Sequence, residues 1–182
     1  MSSDILPMTD TRRVYLREVS KQDRREFLSL MQKSQRLHDP WITPPLTAAT
    51  FDRYLARTQR DDHQGLLVCL KETHTIVGVV NVNNIVRGSF LSASLGYYAC
   101  APYAGMGYMR EGLEAVIQTA FEEQGLHRLE ANIQPENRRS IRLVELCGFH
   151  KEGVSRDFLY IAGAWRDHER WVIIHHRNSM LA

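Results

Sequence analysis

Two glycines, Gly105 and Gly107, separate a strand-like segment from a strongly periodic helix, and this arrangement constrains the fold more than any other stretch of the chain. From Met109 onward, apolar residues recur at the spacing of one face of an α-helix. Gly125 marks the predicted end of this helix, and the glycine pair marks its start. The apolar face consists of Leu113, Val116, Ile117, Ala120 and Phe121.

The start of this helix is a candidate site for an anion. The first N–H groups of an α-helix have no partner within the helix, and the helix dipole makes that end positive. Backbone amides can therefore hold a diphosphate there, and glycine allows its close approach. The glycines can also serve only a tight turn. A dinucleotide-binding G-x-G-x-x-G motif is disfavoured, because Arg110 replaces its third glycine.

A second motif follows at Asn137, where the chain reads N-x-x-S-x-x-x-x-E-x-x-G-F up to Phe149. Together the two motifs resemble the Gcn5-related N-acetyltransferase (GNAT) family. Segments 128–132, 151–153 and 161–168 are similar to its RimJ/RimL branch, the ribosomal-protein N-terminal acetyltransferases. The resemblance covers roughly residues 12–175 and therefore nearly the whole chain.

The resemblance implies one α+β domain over residues 12–176, with terminal tails at 1–11 and 177–182. Its expected core is a mixed, mostly antiparallel and splayed sheet of about seven strands, flanked by about four helices. The residue patterns favour strands at 12–19, 66–70, 76–86, 90–98, 128–133, 154–161 and 165–174. They favour helices after the caps Ser20, Thr47 and Asn137, in addition to the helix that follows Gly107.

Three prolines between residues 38 and 46 exclude a helix and predict a stiff loop that presents Trp41. Branch members have a tryptophan in this loop near the acceptor cleft, so the resemblance makes Trp41 a candidate substrate contact. The sequence equally allows Trp41 to fill the core.

The composition of the chain argues against several classes of function. The chain has 182 residues and a net charge of +2, which is too small to favour nucleic acid as the main ligand. No apolar run reaches the roughly 18 residues of a membrane span, and no signal peptide is recognised. Three widely spaced cysteines fit a reducing cytoplasm. Eight histidines show no metal-ligand spacing, so no metal is expected. The sequence leaves open whether the chain forms a homodimer.

The resemblance also implies acetyl-CoA as the co-substrate. In the family, the strand before the glycine turn pairs with the pantetheine arm through its backbone, and the turn holds the pyrophosphate. Here Ala104 stands where the family has Gln or Arg, and Met109 replaces a small residue. Binding of the pyrophosphate through backbone amides depends on neither of these two side chains. The expected cofactor contacts are Tyr98, Ala99, Cys100, Gly105, Met106, Gly107, Tyr108, Met109, Arg110 and Asn137.

Acetyl transfer needs a neutral amine. An α-amine has a pKa of about 7.7 to 8.0 and lysine about 10.4, so deprotonation at pH 7 costs roughly 1 and roughly 4.6 kcal/mol respectively. An N-terminal amine therefore needs only a modest base. Enzymes of the related RimI branch use a carboxylate and a tyrosine at positions that hold Asn132 and Val144 here. Those roles cannot be transferred, although Asn132 remains a candidate substrate contact.

Three other side chains are candidates for catalysis. Glu130 lies on the predicted strand face that also carries Asn132, and it is the first candidate base. Asp167 is the second candidate, because a carboxylate among aromatic residues needs a partner or a purpose. It would either orient the acceptor amine or pair with an arginine such as Arg156. Ser140 matches the branch serine that is thought to steady or protonate the departing thiolate. Direct attack by the amine is preferred over a covalent route through Cys100, which has no predicted activating neighbour.

The sequence therefore predicts an acetyl-CoA-dependent N-acetyltransferase acting on a protein N-terminus, with ribosomal proteins as one acceptor class. Two alternatives remain open. One keeps the fold and the donor but gives a small amine, such as an amino acid, polyamine or antibiotic, as the acceptor. The other is a non-catalytic module that binds acyl-CoA or a peptide.

Overall fold

Seven strands form one mixed sheet in the computed structural model, which describes residues 13–176. Their spatial order is β1-β2-β3-β4-β5-β7-β6, and all neighbours are antiparallel except the parallel pair β4 and β5. The strands are β1 Val14–Glu18, β2 His63–Leu70, β3 Ile76–Val86, β4 Ser92–Ala99, β5 Arg128–Ile133, β6 His150–Ile161 and β7 Ala164–Ile174. The α-helices are α1 Arg24–Lys33, α2 Gln35–His38, α3 Ala48–Thr58, α4 Tyr108–Glu122 and α5 Arg138–Leu146. Short 3₁₀ turns lie at Lys21–Asp23 and Ala101–Tyr103.

The sheet separates two apolar cores, because alternate residues of a strand point to opposite faces. On β2, Leu66 and Val68 belong to the core that α4 and α5 cover, whereas Leu67 and Cys69 belong to the core beneath α1 and α3. Phe27 and Phe51 join the second core and pack edge to face, with ring centroids 5.2 Å apart. The two cores hold helices α4 and α3 in place on opposite sides of the central strands.

Helix α4 lies very close to the sheet. A Cβ atom at Gly112 would approach a Val68 methyl group to 2.6 Å, so only glycine fits at this point of the helix. The Met109 side chain covers Gly78 of β3 in the same way, which explains the glycine in that strand. The first turn of α4 is thereby fixed against β3.

The sheet opens between β4 and β5. These strands pair only from Ser92 to Leu95 on one side and from Arg128 to Ala131 on the other. Beyond this stretch β4 continues along β3 to Ala99, while β5 continues along β7 to Ile133. A gap therefore forms between two strands that each keep only one partner.

The predicted α+β architecture is confirmed, including the splayed sheet of seven strands. The caps Thr47 and Asn137 are confirmed, since each side chain accepts a hydrogen bond from the backbone of its helix. Strand β6 begins at His150 rather than at residue 154, because the chain on both sides of Gly153 pairs with β7. The one-turn helix α2 is an addition to the four expected helices.

Within residues 13–176, no helix is long and apolar enough to cross a membrane. The predicted tails at 1–11 and 177–182, and the first residue of the predicted domain, lie outside the described residues. The predicted domain limits therefore stay a prediction.

Candidate active site

The turn before α4 has the backbone geometry that glycine permits. Gly105 has a φ of 79° and Gly107 a φ of 85°, and both values lie in the left-handed region. Gly107 is the N-cap of α4. The first hydrogen bond within the helix runs from the Glu111 amide to the Gly107 carbonyl, at 3.2 Å. The amides that precede it, available to an anion, are those of Tyr108, Met109 and Arg110.

Arg13 adds a positive charge beside this turn, and sequence reasoning missed it. Its guanidinium lies over the Tyr108 ring, 4.6 Å from the centroid. It also pairs with Glu111, with Nε 2.6 Å from Oε1. A Cβ atom at Gly107 would come within 2.9 Å of Arg13 Nη2, so this guanidinium also excludes a side chain at that position.

The other side chains of the turn have different surroundings. Arg110 is exposed and pairs with Glu114 one helical turn later, with Nε 2.8 Å from Oε1. Met106 is half exposed. Met109 packs on β3, as described above, so this residue offers a ligand only its backbone.

The hydrogen-bond pattern of β4 decides which backbone groups point into the gap. The Cys100 amide donates to the Val77 carbonyl at 2.9 Å. Successive residues of a strand alternate between its two edges. The backbone N–H and C=O groups of Tyr98 and Cys100 therefore point toward β3, whereas those of Tyr97 and Ala99 point into the gap. In this register the backbone groups of Tyr98 and Cys100, two of the expected cofactor contacts, point away from the gap.

The Ala99 carbonyl is already engaged. It lies 2.8 Å from Nε2 of His38, a buried residue whose ring stands edge-on to Tyr98. Because a carbonyl oxygen only accepts, Nε2 carries the hydrogen. The gap therefore retains the Ala99 amide and the Tyr97 backbone groups as free partners for a ligand.

A cavity of about 90 Å³ lies at the mouth of this gap. Trp41 lines it, so the loop before α3 reaches the end of β5, and Gln134 Nε2 donates to the Trp41 carbonyl at 3.3 Å. The cavity brings together several residues that the sequence singled out. Besides the Trp41 indole, its polar side chains are Tyr97, Asn132, Gln134, Asn137, Ser140 and His168.

Ser140 has a hydroxyl partner that sequence reasoning did not identify. Its Oγ lies 2.7 Å from the Tyr97 hydroxyl, and its amide donates to Asn137 Oδ1 at 3.2 Å. Burial raises the pKa of Tyr97, so its phenol stays protonated at neutral pH. Tyr97 can therefore donate to Ser140 Oγ, which frees the Ser140 hydrogen for a group in the cavity.

His168 is a buried base in the same cavity. Its Nδ1 lies 2.9 Å from the Arg166 carbonyl, so Nδ1 carries the hydrogen and Nε2 keeps its lone pair. Burial lowers the pKa of His168, and the imidazole is therefore neutral at pH 7. Asn132 Oδ1 is also buried, and no group in the described part of the chain donates a hydrogen bond to it.

The two carboxylates expected to act as bases lie elsewhere. Glu130 pairs with Arg128 at 2.8 Å, at a point where β4 and β5 are still hydrogen-bonded. Asp167 is exposed and accepts from the Asp157 amide at 2.9 Å. Neither lines the cavity. Adjacent strand residues face opposite ways, so the side chain that reaches the gap is His168 rather than Asp167.

Cys100 is buried, and burial raises the pKa of its thiol to about 12. The thiol therefore stays protonated at neutral pH, which disfavours a covalent route. Among residues 13–176, no group of three or more His, Cys, Asp or Glu side chains is arranged to hold a metal ion.

A second, more open cavity of about 400 Å³ adjoins the first, and Ile42 lines both. One wall is the proline-rich segment 42–45, and helix α3 forms another. Tyr54, Asn81 and Tyr98 also line it, and the Tyr54 hydroxyl donates to Asn81 Oδ1 at 2.7 Å. The expected cofactor residue Tyr98 thus presents its side chain to this second cavity.

Residues 13–150 match the acetyltransferase (GNAT) domain family. The chain belongs to this family. It is 30% identical over 169 residues to the probable N-acetyltransferase YjcK of Bacillus subtilis, covering 88% of this chain and 93% of YjcK. It is 46% identical over 93 residues to the ribosomal protein uS5-alanine N-acetyltransferase of Escherichia coli, covering 51% of this chain and 48% of that enzyme. The chain is thus a GNAT-type N-acetyltransferase with RimJ/RimL-like relatives.

Solved structures of this family agree with the fold. The ribosomal-protein-S5-alanine acetyltransferase of Vibrio fischeri has a TM-score of 0.82 at 27% identity, over 92% of this chain and 96% of that one. Mycobacterium smegmatis RimJ, in complex with CoA-disulfide, has a TM-score of 0.81 at 26% identity, over 88% and 81% of the two chains. The spermidine N-acetyltransferase of Vibrio cholerae shares only the fold, with a TM-score of 0.75 at 20% identity over 88% and 95%.

Proposed function

We propose that this GNAT enzyme transfers the acetyl group of acetyl-CoA to the N-terminal α-amine of a protein, with a ribosomal protein as the acceptor class and the cytoplasm as the compartment. The observation that carries the proposal is the cavity at the gap between β4 and β5. It combines a neutral imidazole, an unpartnered amide oxygen and a hydroxyl pair, and a larger cavity that can receive a peptide adjoins it.

Acetyl-CoA fits the backbone donors around this gap. Its pyrophosphate would lie at the start of α4, on the amides between Gly105 and Arg110, with Arg13 beside them. Its pantetheine arm would extend along the free edge of β4, where Tyr97 and Ala99 offer backbone groups, and past Asn137. This path would end with the thioester in the smaller cavity.

The chemistry then follows from the side chains around the thioester. The acceptor nitrogen attacks the thioester carbonyl, and its proton passes to Nε2 of His168 while Asn132 Oδ1 orients an amine hydrogen. As the tetrahedral intermediate collapses, the C–S bond breaks. Ser140 donates a hydrogen bond to the departing thiolate, and the Tyr97 hydroxyl donates a hydrogen bond to Ser140 Oγ. The thiolate then takes a proton from solvent, and His168 releases its proton to solvent, so each side chain returns to its starting state. The products are the acetylated amine and CoA.

Two considerations favour a protein N-terminus as the acceptor. A neutral histidine is a weak base, and it suits an α-amine with a pKa of about 7.7 to 8.0 better than a lysine side chain. The uS5-alanine N-acetyltransferase of Escherichia coli, which is 46% identical over 93 residues, acts by its name on such a group. Trp41, which lines the smaller cavity, and Ile42, which lines both, would contact the first residues of the acceptor.

Release of CoA thiol in the presence of peptides that begin with alanine or serine tests this proposal, with mass spectrometry to locate the acetyl group. We expect turnover and modification of the α-amine. Peptides of the same sequence with a blocked N-terminus and one internal lysine serve as controls and should not react. Turnover of small amines alone would contradict the protein acceptor, and CoA binding without any turnover would indicate a non-catalytic module.

Replacing the hydroxyl pair should slow the chemical step moderately. A thiol leaving group has a pKa near 8.5, so Ser140→Ala should lower kcat only about 10-fold. Tyr97→Phe should lower kcat less, because it acts through Ser140. The double variant should be no slower than Ser140→Ala, since the two hydroxyls form one chain. Steady-state kinetics at saturating acetyl-CoA measure these effects, and full kcat in Ser140→Ala would exclude the leaving-group role.

A further inference from the structure

Two arginines of α3 face the larger cavity. Arg53 and Arg57 both line it and are exposed. They lie four residues apart, so they share one face of the helix, where like charges repel each other. The described residues that line it include no aspartate or glutamate.

These two arginines differ from others near them. Arg24 pairs with Asp52 at 3.5 Å, and Arg60 pairs with Asp62 at 3.0 Å. By contrast, no carboxylate within residues 13–176 lies at ion-pair distance from Arg53 or Arg57. The larger cavity thus presents two guanidinium groups that have no carboxylate partner in the described part of the chain. Such groups are suited to bind a carboxylate in a bidentate manner.

Arg53 and Arg57 lie where an acceptor would extend beyond its reactive amine. Ile42 lines both cavities, so an acceptor whose amine lies beside Asn132 and His168 can continue into the larger one. An extended peptide advances about 3.3 Å per residue, which brings its second to fourth residues into a cavity of this size. A polyamine would instead meet two positive charges there.

We propose that Arg53 and Arg57 select acceptors with an acidic side chain at the second to fourth position after the reactive N-terminus. This inference rests on the proposed function, because it assumes that a peptide N-terminus enters the smaller cavity. It adds a preference for acidic N-terminal segments over neutral or basic ones, and it places spermidine-like amines among the poor acceptors.

The test compares alanine-initiated peptides of equal length that carry aspartate, asparagine or lysine at positions two to four. With the unmodified enzyme, kcat/KM should be about 10-fold higher for the aspartate peptide than for the asparagine peptide, and lowest for the lysine peptide. Higher salt should reduce these differences. In Arg53→Gln/Arg57→Gln the preference should disappear, while kcat/KM for the asparagine peptide stays within about 2-fold. Arg53→Glu/Arg57→Glu should favour the lysine peptide.

Arg25→Glu is the matched control, because it makes the same change of −2 in net charge on the exposed face of α1, away from both cavities. It should keep the aspartate preference. An unchanged ranking in Arg53→Gln/Arg57→Gln, or loss of the ranking in Arg25→Glu, would overturn the assignment.

A binding measurement separates this inference from the proposed function. Calorimetry with N-acetylated forms of the three peptides, in the presence of CoA, needs no turnover. Tighter binding of the aspartate form, lost in Arg53→Gln/Arg57→Gln, would support the acidic selection even if only small amines were acetylated. Equal binding of all three forms would contradict the selection, even if every peptide were acetylated at its α-amine.

Discussion

His168→Asn should lower kcat by about 10³-fold, the largest effect expected from any single side chain in the cavity, because general bases contribute roughly 10² to 10⁴-fold. Asparagine is smaller than histidine and keeps a side-chain donor for the Arg166 carbonyl, but it has no lone pair basic enough to take the proton. Binding of acetyl-CoA should be almost unaffected, because the proposed phosphate contacts lie at α4. Single-turnover kinetics with a preformed acetyl-CoA complex measure the chemical step directly.

The pH dependence of kcat gives this prediction a second readout. Only the neutral imidazole can accept a proton, so kcat should fall as the pH drops through the pKa of His168. Burial lowers that pKa below the ordinary value of about 6.5, and the fall should therefore lie below pH 6.5. His168→Asn should lose this acid limb. An acid limb that persists unchanged in the variant would assign the proton transfer to another group.

Two controls are needed before the acid limb of kcat is assigned to His168. A histidine that is buried in neutral form destabilises the fold once the pH drops below the pKa of the unfolded chain, so circular dichroism must show that the enzyme stays folded across the pH range. His38 is also buried, and burial lowers its pKa too. His38→Gln should keep the acid limb, because His38 does not line the cavity that holds His168.

Local patterns predicted most of the fold because its elements obey simple periodicities. Strand β5 was predicted from the alternation of Leu129, Ala131 and Ile133, and the structure has the same limits for it, Arg128–Ile133. Helix α4 was predicted from its apolar face and its two glycines. The start of β6 was missed, because Gly153 interrupts its pattern and only the pairing with β7 extends the strand across it.

The candidate site was harder to predict, because it depends on register between distant strands. Asn132 pairs with Arg170, and His168 is the next residue of β7 on the same face. Nothing local to β7 distinguishes that face from the face of Asp167, so the sequence favoured the carboxylate. The partnership of Tyr97 with Ser140 spans 43 residues and likewise requires the packed structure. Alternation along β7, combined with its pairing to β5, is the signal that identifies His168.

Gly107→Ala should weaken the binding of acetyl-CoA about 100-fold, which corresponds to roughly 2.7 kcal/mol. An alanine at a φ of 85° costs about 1 to 2 kcal/mol relative to glycine. Its Cβ would also lie within 2.9 Å of Arg13 Nη2, so the guanidinium must leave its position over Tyr108 and beside Glu111, or the turn must shift. Either change misplaces the amides that open α4. Calorimetric titration with CoA measures the loss, while kcat at saturating acetyl-CoA should change little.

Two further variants separate backbone strain from the steric effect. Gly105 has a similar φ of 79°, but a Cβ atom there would meet nothing within 4 Å. Gly105→Ala should therefore show only the strain. The turn relaxes in the unliganded variant and CoA binding must restore it, so affinity should fall by about 5- to 30-fold. In an Arg13→Ala background, Gly107→Ala should cost about as little as Gly105→Ala, because the steric conflict is gone. If Gly107→Ala binds CoA as tightly as the unmodified protein, the helix start is not the phosphate site, because no ligand held there could tolerate the displaced amides.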